Sequence, residues 1–269
     1  MTDKVQVEIK GEVATIMLNK PERLNALDNE MWHGIGEACE VVDAAPDVRV
    51  AVLMGAGGCF CAGLDVKAGS KLSASLDDKS PAQALARIRE HLAGHQASFS
   101  AVESLRVPVI GAIQQACMGA GLELALCCDV RLAAEGTLFS IPEVQLGLVP
   151  DMGGTQRLPR TVGIGKAKEL IYSARRFDAA EALRIGLVSA VYPVGDLQTR
   201  VAELAAEIAA NAPLAVQAAK RAINGTYYGD MRSWLEWETA QASGPLLSED
   251  RKVGLRAAAE RKRADFKGR

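Results

Sequence analysis

Met118-Gly119-Ala120-Gly121-Leu122-Glu123-Leu124-Ala125 places a loop of small residues at the start of a short apolar helix, a few residues after the strand-like run Pro108-Val-Ile-Gly-Ala-Ile113. Small side chains let a ligand approach backbone N–H groups, and a helix start aims those groups at negative charge. The same arrangement occurs once before. The buried strand-like run Arg49–Gly55 leads into Gly55-Ala-Gly-Gly-Cys-Phe-Cys-Ala-Gly-Leu-Asp-Val66. Two N–H donors converging from such loops make an oxyanion hole. Glycines that only permit tight turns are the alternative reading.

Outward from these loops the chain alternates strand and helix patterns. Residues 5–10 and 13–19 read as strands joined at Gly11, and 28–42 as a helix capped by Asp28 with Met31, Ile35, Ala38, Cys39 and Val42 on one face. A helix over 83–104 and short strands at 130–134 and 138–140 follow. This alternation predicts an α/β fold with layered sheets and helices. Residues 67–82, rich in Ser, Lys and Asp, read as a surface loop close to the site that Gly63 lines. Beyond Gly163 the pattern is almost all helix: one opened by Asp178 and Glu181, then 197–211, 214–224, 230–242 and 248–264, with Asn224-Gly225 and Gly244-Pro245 as punctuation. The expected organisation is a core over 1–195 and a helical C-terminal subdomain over 196–269, whose helices each need a partner for one apolar face.

Composition removes several function classes. The 269 residues carry 31 basic and 33 acidic side chains, a net charge of -2, and only 4% aromatics. A nucleic-acid binder needs a basic excess and stacking aromatics, so no nucleic-acid partner is expected. No apolar run reaches the ~18 residues of a membrane span, and the first ten residues alternate like a strand instead of forming a signal peptide. No membrane partner and a cytoplasmic location are the expectation. Of the six cysteines, Cys59-x-Cys61 and Cys127-Cys128 have the wrong spacing for zinc, and all read as core thiols. His91 and His95, four apart on a helix, read as a solvated pair, and no metal site is expected. There is no G-x-S-x-G elbow and no phosphate loop, and Phe60 stands where a dinucleotide fingerprint needs its third glycine.

Phe60-Cys-Ala-Gly-Leu-Asp65, Gly119-Ala-Gly-Leu-Glu-Leu-Ala125 with Cys128-Asp129, and Pro142-Glu-Val-Gln-Leu-Gly-Leu-Val-Pro-Asp-Met-Gly-Gly-Thr-Gln-Arg-Leu158 resemble the crotonase (enoyl-CoA hydratase/isomerase) superfamily. Leu18-Asn-Lys-Pro-Glu-Arg-Leu-Asn-Ala-Leu27 and Glu181-Ala-Leu-Arg-Ile-Gly-Leu-Val188 match as well, so the likeness covers nearly the whole chain. The resemblance implies a spiral of β-β-α units, a helical C-terminal region that drives assembly into a homotrimer or a dimer of trimers, and an acyl-CoA thioester held by two backbone N–H groups. Those donors would be Leu64 and Ala120, the latter standing where the family usually has Gly. Arg23, Ala26, Ala62, Gly63, Asp65, Val66, Lys67 and Gly119 would line the substrate and its CoA portion. No cofactor is implied, since coenzyme A is part of the substrate.

Three acids carry the expected chemistry. Glu123 and Glu143 fall where hydratases of this superfamily carry paired glutamates, which position water and move protons at C2 and C3. A first-turn acid on a helix dipole is the bland reading of Glu123, and a helix-start residue that of Glu143. Asp151 departs from simple hydratases, which usually carry Gly there. A Δ3,5-Δ2,4-dienoyl-CoA isomerase carries Asp at that place, though usually also Asp where Glu123 stands. A 3,5-to-2,4 shift takes a proton from C2 and returns one at C6, too far apart for one carboxylate to serve easily. This reasoning favours a dienoyl-CoA isomerase of fatty-acid oxidation, with an enoyl-CoA hydratase and a non-catalytic CoA-binding or scaffold protein as the alternatives. Three acids in an apolar pocket should also raise at least one carboxyl pKa.

Overall fold

The computed structural model describes residues 2–65, 80–225 and 230–269. Strands β1 (Val5–Lys10) and β2 (Val13–Leu18) pair antiparallel around Gly11. From β2 the sheet continues in parallel through β3 (Val50–Gly55), β4 (Val109–Ile113), β6 (Val130–Ala134) and β9 (Ala190–Tyr192). A smaller sheet joins β5 (Ala116–Met118), β7 (Leu138–Ser140) and β8 (Phe177–Asp178). Around them, among the described residues, run α1 (Asn29–Ala44), α2 (Pro81–Ser104), α3 (Ala120–Ala125), α4 (Gly154–Val162), α5 (Ile164–Ser173), α6 (Ala179–Arg184), α7 (Leu197–Ala209), α8 (Pro213–Gly225), α9 (Met231–Leu247) and α10 (Glu249–Ala259).

Local chemistry sets most of these boundaries. The Asp28 carboxylate accepts from the Met31 N–H at 3.1 Å and starts α1, and Asp178 accepts from Glu181 N–H at 2.8 Å to start α6. Ser80 and Gln83 form a reciprocal capping box on α2. Strand β3 reads as a continuous apolar run because both of its faces are covered. Ala51 and Leu53 enter the core shared with Met31, Ile35 and Val42 of α1, while Val50 and Val52 face the opposite side. That side is closed by Leu197, Val201, Ala205 and Ala209 of α7, spaced four apart along one helical stripe. The first helix of the expected C-terminal tail is thus packed on the main sheet.

Several expectations need correction. Strands β5, β8 and β9 are not among the expected elements; each has two or three residues, too few for a period to register. Gly244-Pro245 does not end a helix. Pro245 sits in the last turn of α9, and the boundary falls at Ser248, whose hydroxyl caps α10 by accepting from Arg251 N–H. His95 is buried and stacks on Trp32 at 4.6 Å, with His91 edge-on to it at 4.1 Å, so the two form part of an aromatic cluster between α1 and α2 instead of a solvated pair. The expected loop at 67–82 lies largely outside the described residues. All six cysteines are free and buried, and burial pushes the Cys39 and Cys61 thiols up to about 12. No described helix is long and apolar enough to cross a membrane.

Candidate active site

The two glycine-rich loops lie side by side. Cys61 and Cys117 form a parallel bridge, with Cys61 N–H donating to Ala116 O at 3.0 Å and Met118 N–H to Cys61 O at 3.1 Å. On the other side of the first loop, Ala62 N–H donates to Leu24 O at 2.9 Å, and Leu27 and Leu64 form a second bridge through Gly63 O and Asp65 N–H. A regular strand would send the Leu64 N–H the same way as that of Ala62. Gly63, at φ 98°, breaks the alternation and turns the Leu64 N–H away from Leu27, towards the side where Cys61 meets the second loop. A Cβ on Gly63 would lie 2.6 Å from Met118 O and 3.7 Å from Ala120 N, which measures how closely the loops approach.

Ala120 opens α3 behind Gly119, whose φ of 52° suits glycine. Ala120 itself is not among the residues with positive φ, so its departure from the family's usual Gly carries no strain. Gly119 N–H is held by Ser140 O and Gly119 O accepts from Leu122 and Glu123. Among the described residues, neither Leu64 N–H nor Ala120 N–H has a protein acceptor.

The three acids gather at this point. Glu123, on the first turn of α3, is 1% exposed, and its Oε1 accepts from Met152 N–H at 3.0 Å and Gly154 N–H at 2.7 Å. Glu143 opens the 3-10 turn Glu143–Leu146, and its Oε1 would lie 2.8 Å from a Cβ on Gly119. Its Oε2 is buried and has no partner among the described residues. Asp151 sits, half-buried, one residue before the turn amide that binds Glu123. Burial and the charge of Glu143 push the Glu123 carboxyl up to about 8, Asp151 adds to the rise, and the two N–H donors oppose it. Burial also raises Glu143, with Asp151 adding to it, and raises Asp151 itself, where His91 acts in the opposite sense. Neither bland reading accounts for the burial of Glu123 or for the field that Glu143 and Asp151 place on it. With Oε1 committed as acceptor to two N–H groups, Oε2 is the oxygen placed to carry a proton.

The remaining expected residues are placed less uniformly. Ala26, Ala62, Gly63 and Asp65 lie along the paired 24–27 and 61–65 segments, and Arg23 is exposed at the end of the turn Pro21–Arg23. Asp65 commits its carboxylate to Lys20, with Nζ at 2.8 Å. Val66 and Lys67 lie outside the described residues. Lys20 and Asn25 went unnoticed in the sequence. Buried Lys20 bridges Asp28 and Asp65, tying the two paired segments to α1, but Asp65 is 45 positions away and leaves no local signal. Asn25, fully buried at φ 56°, accepts from Lys20 N–H and donates to Ala56 O and Cys59 O. An asparagine between Leu24 and Ala26 was the available sign, since Asn tolerates left-handed backbone. No described group of three His, Cys, Asp or Glu side chains is placed to hold a metal ion.

The chain is similar in sequence and fold to known proteins. The family description Enoyl-CoA hydratase/isomerase matches residues 8–269, and the chain belongs to that family of enzymes. The structure is similar to an enoyl-CoA hydratase from Bacillus anthracis with a TM-score of 0.90, 35% identity, and coverage of 99% of this chain and 100% of that one. The expected crotonase-like α/β architecture is therefore the observed one. In sequence the chain is 35% identical to a crotonyl-CoA hydratase of Syntrophomonas wolfei, covering 98% of each. It is 36% identical to a peroxisomal Delta(3,5)-Delta(2,4)-dienoyl-CoA isomerase of Arabidopsis thaliana, covering 89% of this chain and 87% of the relative.

Proposed function

We propose that this enzyme acts on an acyl-CoA, that the Leu64 and Ala120 N–H groups receive the thioester oxygen, and that the reaction is the shift of a 3,5-dienoyl-CoA to its 2,4 isomer. The observation that carries this reading is Asp151, a third desolvated acid whose charge acts on both Glu123 and Glu143. Removing the C2 proton places negative charge on the thioester oxygen, where preorganised N–H donors are worth about 10²–10³ each in rate. A proton then returns at C6 and the double bonds move to C2 and C4. Acids at separate points serve the two carbons, and Glu123, whose raised proton affinity favours the neutral form, supplies a donor. The unpartnered Glu143 Oε2 is a polar atom awaiting substrate or water. Coenzyme A enters with the substrate, and proton transfer asks for no further cofactor.

Hydration of a 2-enoyl-CoA is the second reading, favoured by Glu in place of Asp at 123 and by the hydratase relatives. Assays on the two substrate types separate them, because isomerisation makes a conjugated diene absorb while hydration consumes enoyl absorbance. Asp151→Asn is expected to abolish isomerisation and to leave any hydration within about tenfold. Unchanged rates for both would remove Asp151 from the reaction, and a parent enzyme inert towards every enoyl- and dienoyl-CoA would favour a non-catalytic CoA-binding role. The assembly proposed with this function is a homotrimer or dimer of trimers, consistent with exposed Leu246, Leu247 and Leu255 at the C-terminal helices. Sedimentation equilibrium should give three or six times the chain mass, and a monomer would contradict it.

A further inference from the structure

We propose that Gln96 and Arg157 are positioning residues that clamp the 151–154 turn from behind, in the orientation that lets its N–H groups hold Glu123. The inference rests on the reading of Glu123 as a proton-moving acid. Met152 N–H, which donates to Glu123 Oε1, belongs to the same peptide plane as Asp151 C=O, and in a trans peptide the two point in opposite directions. That carbonyl accepts from Gln96 Nε2 at 2.6 Å. One peptide unit is therefore held at both ends, by the α2 amide on one side and the Glu123 carboxyl on the other, and donors in such a chain strengthen one another.

Arg157 secures the next unit. Its Nη1 donates to Met152 O at 3.1 Å, while Nε and Nη2 reach Glu103 Oε2 at 3.1 and 2.8 Å, and Nη2 also reaches Ser100 Oγ at 3.2 Å. Gln96, Ser100 and Glu103 lie at i, i+4 and i+7 on one face of α2, so a single helix backs the whole turn. The adjacent glycines divide the two approaches. A Cβ on Gly153, at φ 101°, would lie 2.0 Å from Arg157 Nη1, and one on Gly154 would lie 2.7 Å from Glu123 Oε1. Neither residue can gain a side chain without displacing a partner of the turn. The fork of the guanidinium is what engages a carbonyl, a hydroxyl and a carboxylate together, which an ammonium does not do.

The consequence concerns proton affinity. N–H donors to a carboxylate favour its charged form, so loosening the turn makes Glu123 hold its proton more tightly. The test is a substrate-free titration of the Glu123 carbonyl band by isotope-edited infrared spectroscopy, assigned by its loss in Glu123→Gln, alongside steady-state kinetics. Gln96→Leu and Arg157→Met are each expected to raise the proton affinity of Glu123 about tenfold, about one pH unit. Each should lower kcat about tenfold or more with KM within about twofold, and Arg157→Lys should recover only part of the loss. Gln96 is exposed, so its variant keeps the core and decides the matter even if Arg157→Met fails to fold. A folded Gln96→Leu with the Glu123 midpoint unmoved overturns the clamp. A shifted midpoint with undiminished kcat leaves the clamp standing and instead removes Glu123 from catalysis.

Discussion

Glu123→Gln is expected to lower kcat by roughly 10²–10⁴ while leaving the fold intact. The substitution is nearly isosteric. The amide oxygen can still accept from Met152 and Gly154 N–H, and the NH₂ takes the place of the O–H that Oε2 carries in the neutral acid. What is lost is the exchangeable proton. The stability of the variant tells the same story in reverse. Burial and Glu143 raise the native carboxyl to about 8, whereas in the unfolded chain it releases its proton near 4.5. Between those values the native state binds more protons than the unfolded one, so this group's contribution is fully present below about 4.5 and declines as pH rises through about 8. The slope is at most about 1.4 kcal/mol per pH unit. Glutamine has no such slope, and the variant should gain on the parent steadily from pH 5 to pH 8 in urea unfolding. Turnover in the parent should fall on the alkaline side as the donor is lost. Parallel stability curves for the two proteins, or a variant within tenfold in kcat, would contradict both roles.

The layers of the fold and the address of the site were legible in the chain for physical reasons that differ. Strands β3 and β4 announce themselves because burial on both faces leaves uninterrupted apolar runs, and α1 and α6 because Asp28 and Asp178 mark their first turns with caps. The glycine loops stand out because Gly63 and Gly119 occupy backbone conformations that other residues avoid. What stayed hidden is whatever depends on partners far apart in sequence. Lys20 finds Asp65 across 45 positions, and Arg157 finds Glu103 across 54. The pairing of β7 with β5 and β8 joins a readable strand to two segments too short for periodicity to register. His95 misled because a helical spacing of four says which side chains neighbour one another and nothing about whether Trp32 covers them. The acids illustrate both cases. Their positions were readable from motif resemblance, but the commitment of Glu123 Oε1 to two backbone donors, and the role of α2 in presenting those donors, arise only from tertiary placement.

Ala120→Pro should eliminate one of the two proposed oxygen-binding donors with little cost to the fold, and a loss of about 10²–10³ in turnover is expected. Ala120 is the first residue of α3, where proline is tolerated because that N–H has no intrahelical partner. Among the described residues this N–H meets no protein acceptor, so no internal hydrogen bond is sacrificed. The preceding residue, which a proline excludes from helical backbone, is Gly119 at φ 52° and ψ -125°, already outside that region. The ring carbon on nitrogen also lies where the N–H hydrogen pointed, so steric exclusion of the oxygen acts in the same direction as the lost donor. Because the oxygen becomes charged only as the C2 proton leaves or as a nucleophile adds at C3, the donor is worth more in the transition state than in the bound substrate, and kcat should fall more than KM rises. Thermal unfolding of the variant within a few degrees of the parent, with turnover down at least a hundredfold, is the expected pair of results. A folded variant that turns over within threefold of the parent would remove the Ala120 amide from the site, and with it the reason for the two glycine loops to meet.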